Sequence, residues 1–132
     1  MFEEQLYKHI KNNFTVSGFS LSFGFGEIEE DTQAPYIIQY SLDADGTHQA
    51  LCKKNDFTEG EAFIQWNIYS PNSSNGFYIK QQLMTFLADL RSIDNYQIAI
   101  NRHEASPSNL GQNNGLAIDV VARTFTYNKK GD

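Results

Sequence analysis

The chain has 132 residues, 40% of them hydrophobic and 14% aromatic, so it is long enough for one domain with a real core and too short for two ordinary ones. Sixteen acids against ten bases leave a formal charge of -6, and the bases are scattered, which argues against the basic face of a nucleic-acid binder. Cys52 is the lone cysteine, so neither an intrachain disulfide nor a thiolate metal cluster is available, and a buried inert thiol is the plainer reading. No run reaches the ~18 apolar residues of a membrane span. The start at Met1, Phe2, Glu3 and Glu4 lacks the apolar run of a signal peptide, so the expectation is action in the cytoplasm.

In chain order, Phe2, Leu6 and Ile10 recur every four positions and predict a helix over residues 2–14, with Glu3 and Glu4 early and Lys8 and Lys11 late. Phe19, Leu21, Phe23 and Phe25 alternate with Ser20, Ser22 and Gly24, a half-buried strand closed by Gly26 and the acidic run Glu29, Glu30, Asp31. After Pro35, Tyr36, Ile38, Tyr40 and Leu42 alternate as a second strand. Asp43, Ala44, Asp45 and Gly46 read as a turn, and a short strand over His48 to Lys53 follows.

The clearest strand covers residues 61–69, with Ala62, Ile64, Trp66 and Ile68 on one face. Trp66 reads as core. The breaker cluster from Pro71 to Gly76 precedes a helix starting near Phe77, whose stripe is Ile79, Leu83, Phe86, Leu87 and Leu90, with Ser74 or Asn75 as cap. Tyr96, Ile98 and Ile100 then face one way and Gln97 and Asn101 the other. A polar loop runs from Ser106 to Gly115, and Leu116 to Tyr127 forms a long strand. Leu116, Ile118 and Val120 begin its inward face, but Val121, Phe125 and Tyr127 have the opposite parity. Either a bulge switches faces or the far end is buried on both sides, and contact with another chain is one explanation. The expected fold is one α+β domain over residues 1–132, a mostly antiparallel sheet with an N-terminal helix and a second helix packed on it.

Marks of an enzyme are sparse. His9, His48 and His103 lack the spacing of a local metal-ligand motif. Gly24, Phe25 and Gly26 end a strand, with no third glycine and no helix following, so the dinucleotide fingerprint is missing. Neither a phosphate-loop motif nor a nucleophile elbow occurs. Glu27, Glu29, Glu30 and Asp31 lack the spacing of a calcium loop and read as a solvated acidic loop, and the stretch from Asp43 to Gly46 reads as a hairpin turn. The expectation is a protein that is not an enzyme and uses no cofactor or metal.

A larger pattern emerges in the second half. Phe57 to Gly60 form a polar lead-in to the alternating strand ending at Tyr69. A Pro/Asn/Ser/Gly turn follows, then a helix from Phe77 to Arg91, a strand from Tyr96 to His103, a loop with Pro107, and Gly115 leading into the strand that ends at Phe125, Thr126 and Tyr127. With the N-terminal helix in front, this order resembles the tail terminator, or tail completion, proteins of long-tailed bacteriophages. The resemblance covers nearly the whole chain and is thinnest from Gly26 to Asn55.

The resemblance implies a virion protein at the head-proximal end of the tail. There it would form a homo-hexameric ring that stops growth of the tube made by the major tail tube protein and joins it to a head-completion or connector protein. DNA would pass through without specific binding, helped by an acidic lumen. Such a ring uses heterologous contacts. Candidate interface residues are Phe125 and Tyr127, which equally suit the core, with Glu29, Glu30 and Asp31 in the acidic loop and Asn109 and Gln112 in the polar loop. The alternatives are another neck connector, or a small acidic monomeric binding or regulatory domain.

Overall fold

Phe2, Leu6 and Ile10 lie one turn apart and are all buried, which fixes helix α1 (Phe2–Asn13) on the sheet. The computed structural model describes residues 2–42, 59–104, 111–113 and 115–129. The expected turn at 43–46 and strand at 48–53, with His48 and Cys52, lie outside those residues. The described strands are β1 (Ser22–Phe25), β2 (Tyr36–Leu42), β3 (Glu59–Ser70), β4 (Ser92–Ile93), β5 (Tyr96–Glu104), β6 (Gly111–Asn113) and β7 (Leu116–Lys129), and helix α2 (Ser73–Ala88) sits between β3 and β4.

The sheet runs β1-β2-β3-β7-β5-β4, with β6 continuing the β5 side of β7. β1 and β2 are parallel and every other pairing is antiparallel. The architecture is the expected α+β arrangement, with an N-terminal helix and a second helix on a mostly antiparallel sheet. α1 lies against β1, β3 and β4, and α2 lies against β3 and β7. Between helices and sheet, Leu6, Ile10, Ile64, Trp66, Ile68, Ile79, Leu83, Leu87, Val121 and Phe125 form the core.

Three expectations are corrected. α2 begins at Ser73, inside the cluster that reads as a breaker, because Asn72 caps it: its side-chain oxygen accepts from the Asn75 N–H at 2.9 Å. The helix ends at Ala88 rather than Arg91, whose guanidinium turns back to donate to the Ala88 and Leu90 carbonyls. In β5 an extra residue shifts the register between Ile98 and Ile100. Ile98 stays buried in the core, but Ile100 turns to the other face and is 51% exposed.

The parity change in β7 has the second of its two explanations. Its register with β3 runs unbroken from Asn128 to Ala117, so no bulge interrupts that pairing. Val121, Phe125 and Tyr127 join the core under the helices, while Ile118, Val120 and Ala122, on the opposite face of this central strand, are buried as well.

Candidate functional site

Phe125 is 0% exposed and Tyr127 only 8%. The Phe2 ring stacks on Tyr127 with centroids 4.1 Å apart, and Phe125 stands 5.6 Å from the same ring. Both side chains therefore belong to the interior of this chain, and the core reading replaces the interface reading for them. Asn109 lies outside the described residues. Gln112 lies in β6, paired with Ala117.

The acidic loop is different. Glu27, Glu29, Glu30 and Asp31 are all exposed. The turn that carries them folds back over β1, closed by the Thr32 N–H donating to the Glu29 carbonyl at 3.1 Å. Gly24 permits this return: a Cβ there would collide with the Glu27 carbonyl and sit 3.0 Å from Ile28 Cβ. Gly26, at φ 78°, donates its N–H to the Gln39 carbonyl at 2.8 Å and anchors the loop to β2.

Beneath the loop is an open depression of about 600 Å³, lined by Tyr7, Phe23, Phe25, Glu27, Ile28 and Glu29 among others. Its aromatic wall is a pair: the Tyr7 and Phe25 rings are 5.2 Å apart and within 23° of parallel. The Tyr7 hydroxyl donates to the Phe23 carbonyl at 3.1 Å, and burial pushes the phenol pKa up. Lys11 Nζ lies 6.0 Å from the Tyr7 ring centre. Phe25 itself is 40% exposed. The sequence pattern places Phe25 on the same buried stripe as Phe23, whereas it ends a strand at the sheet margin, where nothing in the alternation marks the change.

Buried polar groups elsewhere serve the fold. Gln39 accepts from Trp66 Nε1 at 3.1 Å and donates to the Glu3 carbonyl at 3.0 Å, tying α1 to β2 and β3. Arg123 donates through Nε to the Asn101 side chain and through a terminal nitrogen to the Asn101 carbonyl at 3.2 Å. Asn101 donates in turn to the Leu87 carbonyl at 2.7 Å, closing the end of α2. Burial lowers the Arg123 pKa, yet its ordinary value is so high that the group stays charged. Among the described residues, no three His, Cys, Asp or Glu side chains gather in a way that could hold a metal ion, and no helix is long and apolar enough to cross a membrane.

The two margins of the sheet are unlike. On one, β1 has no strand on its outer side among the described residues, and it carries Phe25, the depression and the acidic loop. On the other, β4 covers only Tyr96 and Gln97 of β5. Beyond it, the same strand presents Ile100, Arg102 and His103, all exposed. No protein-family model matches the chain, and no curated protein matches it in sequence.

Proposed function

We propose that this chain is a structural assembly protein of the phage tail terminator kind. Copies join into a closed ring that caps the tail tube, ends its growth and offers the surface to which the head connector binds. One observation supports this reading above the others: among the described residues, the two margins of the sheet differ in shape, charge and apolar content. Heterologous assembly needs two different surfaces on one subunit, and rings close by repeating that single contact. A two-fold dimer would use one self-complementary patch instead. Phe25 and Ile100, each exposed on a different margin, supply apolar contact area at each. The arrangement of helices on one face of a mostly antiparallel sheet agrees with the family resemblance. Under this reading the partners are further copies, the major tail tube protein and a head-completion protein, in the virion, with DNA passing through the ring.

The test is native mass spectrometry across a concentration series. A discrete hexamer is the expected outcome. A chain that stays monomeric or dimeric at every concentration overturns the self-assembling reading and leaves the acidic monomeric binding domain in its place.

A further inference from the structure

We propose that copies of this chain meet helix to sheet: the outward side of α2 on one copy docks on the face of the next copy's sheet that carries no helix. The proposal rests on the self-assembling reading and adds to its margins the two broad faces that carry most of the contact. α1 and α2 both pack on one side of the sheet, where Ile64, Trp66, Val121 and Phe125 meet them. The cross-strand register sends Leu42, Phe63 and Thr124 to the other side, on which no helix lies among the described residues. A sheet face left to water is ordinarily polar. This one holds no charged residue from Tyr36 to Leu42 on β2, from Phe63 to Tyr69 on β3 or from Ile118 to Thr124 on β7. Leu42 is 43% exposed there, and the extra residue in β5 turns the exposed Ile100 to the same side.

The outward side of α2 is as unusual for a helix. Phe77 is 55% exposed and Tyr78 beside it is exposed as well, followed by Gln81, Gln82 and Thr85. Lys80 is the one charged residue from Ser73 to Ala88, and it is buried. A solvated helix surface ordinarily carries charge. Two uncharged surfaces with exposed apolar side chains therefore stand on opposite sides of one subunit. They cannot meet within a copy, and between copies they meet head to tail, the contact that repeats around a ring. Their sizes agree: Leu42 on β2 and Ile100 on β5 are three strand spacings apart, roughly 14 Å, and a helix with its side chains is about 10–12 Å across, so α2 fits between them over Phe63. Their charges agree too. Each copy is acidic overall, and α2, which holds no acidic residue, approaches its neighbour without like-charge repulsion.

Spoiling one face at a time tests the docking. Phe77→Glu places a charge on the helix side and Ile100→Glu on the sheet side, each at an exposed position, and unchanged thermal melting establishes that the variant folds. Tyr78→Gln and Leu42→Gln are the milder pair if either charge lowers the melting temperature. Each variant alone is expected to raise the concentration needed for assembly by about tenfold or more, read by sedimentation velocity and native mass spectrometry. Phe77→Leu, which keeps an apolar knob, is expected to assemble as wild type. Phe77→Glu and Ile100→Glu mixed in equal amounts are expected to form one-to-one pairs and nothing larger, because each keeps the face the other has lost and a third copy finds no intact partner. Assembly of both variants at the wild-type concentration overturns the docking while leaving the ring in place, and so does a mixture that yields no pair or that restores full rings. A wild-type chain that forms no oligomer removes the ring reading itself and this contact with it, which keeps the two failures distinct.

Discussion

Strand β7 crosses two interiors that are held together in different ways. At its C-terminal end, Phe2, Tyr96, Phe125 and Tyr127 form a cluster of rings, with Tyr96 set edge-on to Phe2 at 5.5 Å and to Tyr127 at 5.2 Å. At its N-terminal end, Asp119 and Ser70 are buried beneath the first turn of α2, with Lys80 buried one turn further along that helix. The ring cluster depends on filled volume and apolar burial. The polar end depends on where its buried oxygen and nitrogen atoms sit, which makes it sensitive to displacements of a few tenths of an ångström. One strand pair thus joins a region governed by size to a region governed by geometry.

The largest expected effect lies at the ring end. Phe2→Ala removes a side chain that is 1% exposed and touches three other rings, and it is expected to cost ~3–5 kcal/mol by urea denaturation. Phe2→Leu keeps most of the volume and is expected to cost about a third of that. Equal losses from the two would break the claim that volume governs this end. At the polar end, Gly76→Ala is expected to destabilise by ~1–3 kcal/mol, although alanine is the better helix former. The added Cβ collides with the Asp119 carboxylate and comes within 2.7 Å of the Ser70 hydroxyl. In an Asp119→Ala background the same change is expected to cost less, and a double-mutant cycle measures the difference. Simple additivity would place the clash elsewhere.

The same division explains what could be read from the amino-acid order. Helix α1 and strand β3 follow from apolar spacing alone, because every fourth or every second residue is buried as the period requires, whereas in β2 the alternating stripe of Tyr36, Ile38, Tyr40 and Leu42 is not the core side, which Ile37 and Gln39 fill instead. The start of α2 was hidden: Asn72, Ser73, Ser74 and Gly76 carry the composition of a loop, and only the bond from the Asn75 N–H to Asn72 reveals a cap. The outward turn of Ile100 comes from one extra residue in β5, which alternation does not record. Of the candidate site, the acidic loop was legible as charge, but its aromatic wall was not. Tyr7 and Phe25 are 18 positions apart and meet only because α1 lies across β1.

Gln39 is a polar group set within the apolar core, and its replacement gives an intermediate effect. Gln39→Leu keeps the volume but leaves the Trp66 N–H and the Glu3 carbonyl without the partner they have now, a loss expected to be ~1–3 kcal/mol. A blue shift of the Trp66 fluorescence, or none, rather than the red shift of water entry would show that the pocket stays dry. Asn72→Ala is expected to cost about 1 kcal/mol through loss of the cap, and Asn72→Ser to recover most of it.

The smallest effect appears only at alkaline pH, on tyrosines that combine a packed ring with a polar end. Tyr36 and Tyr69 are register partners with rings 4.8 Å apart, and Tyr40 lies on the same face of the sheet. Burial first, then the Tyr69 charge and hydrogen bond, and then Tyr36 raise the Tyr40 pKa above its ordinary 10.0. The folded chain therefore holds this proton more tightly than the unfolded one. Below pH ~10 both states are protonated and the stabilisation is fully present, and it is lost as pH rises through the folded value. Tyr40→Phe removes the titrating group, so its stability should fall less steeply than wild type above pH ~10 while the pH dependence of the two coincides near pH 8. Parallel curves across that range, measured by urea midpoints, would mean that the Tyr40 phenol ionises as freely in the folded chain as in water, and that this face of the sheet is wetter than its packing indicates.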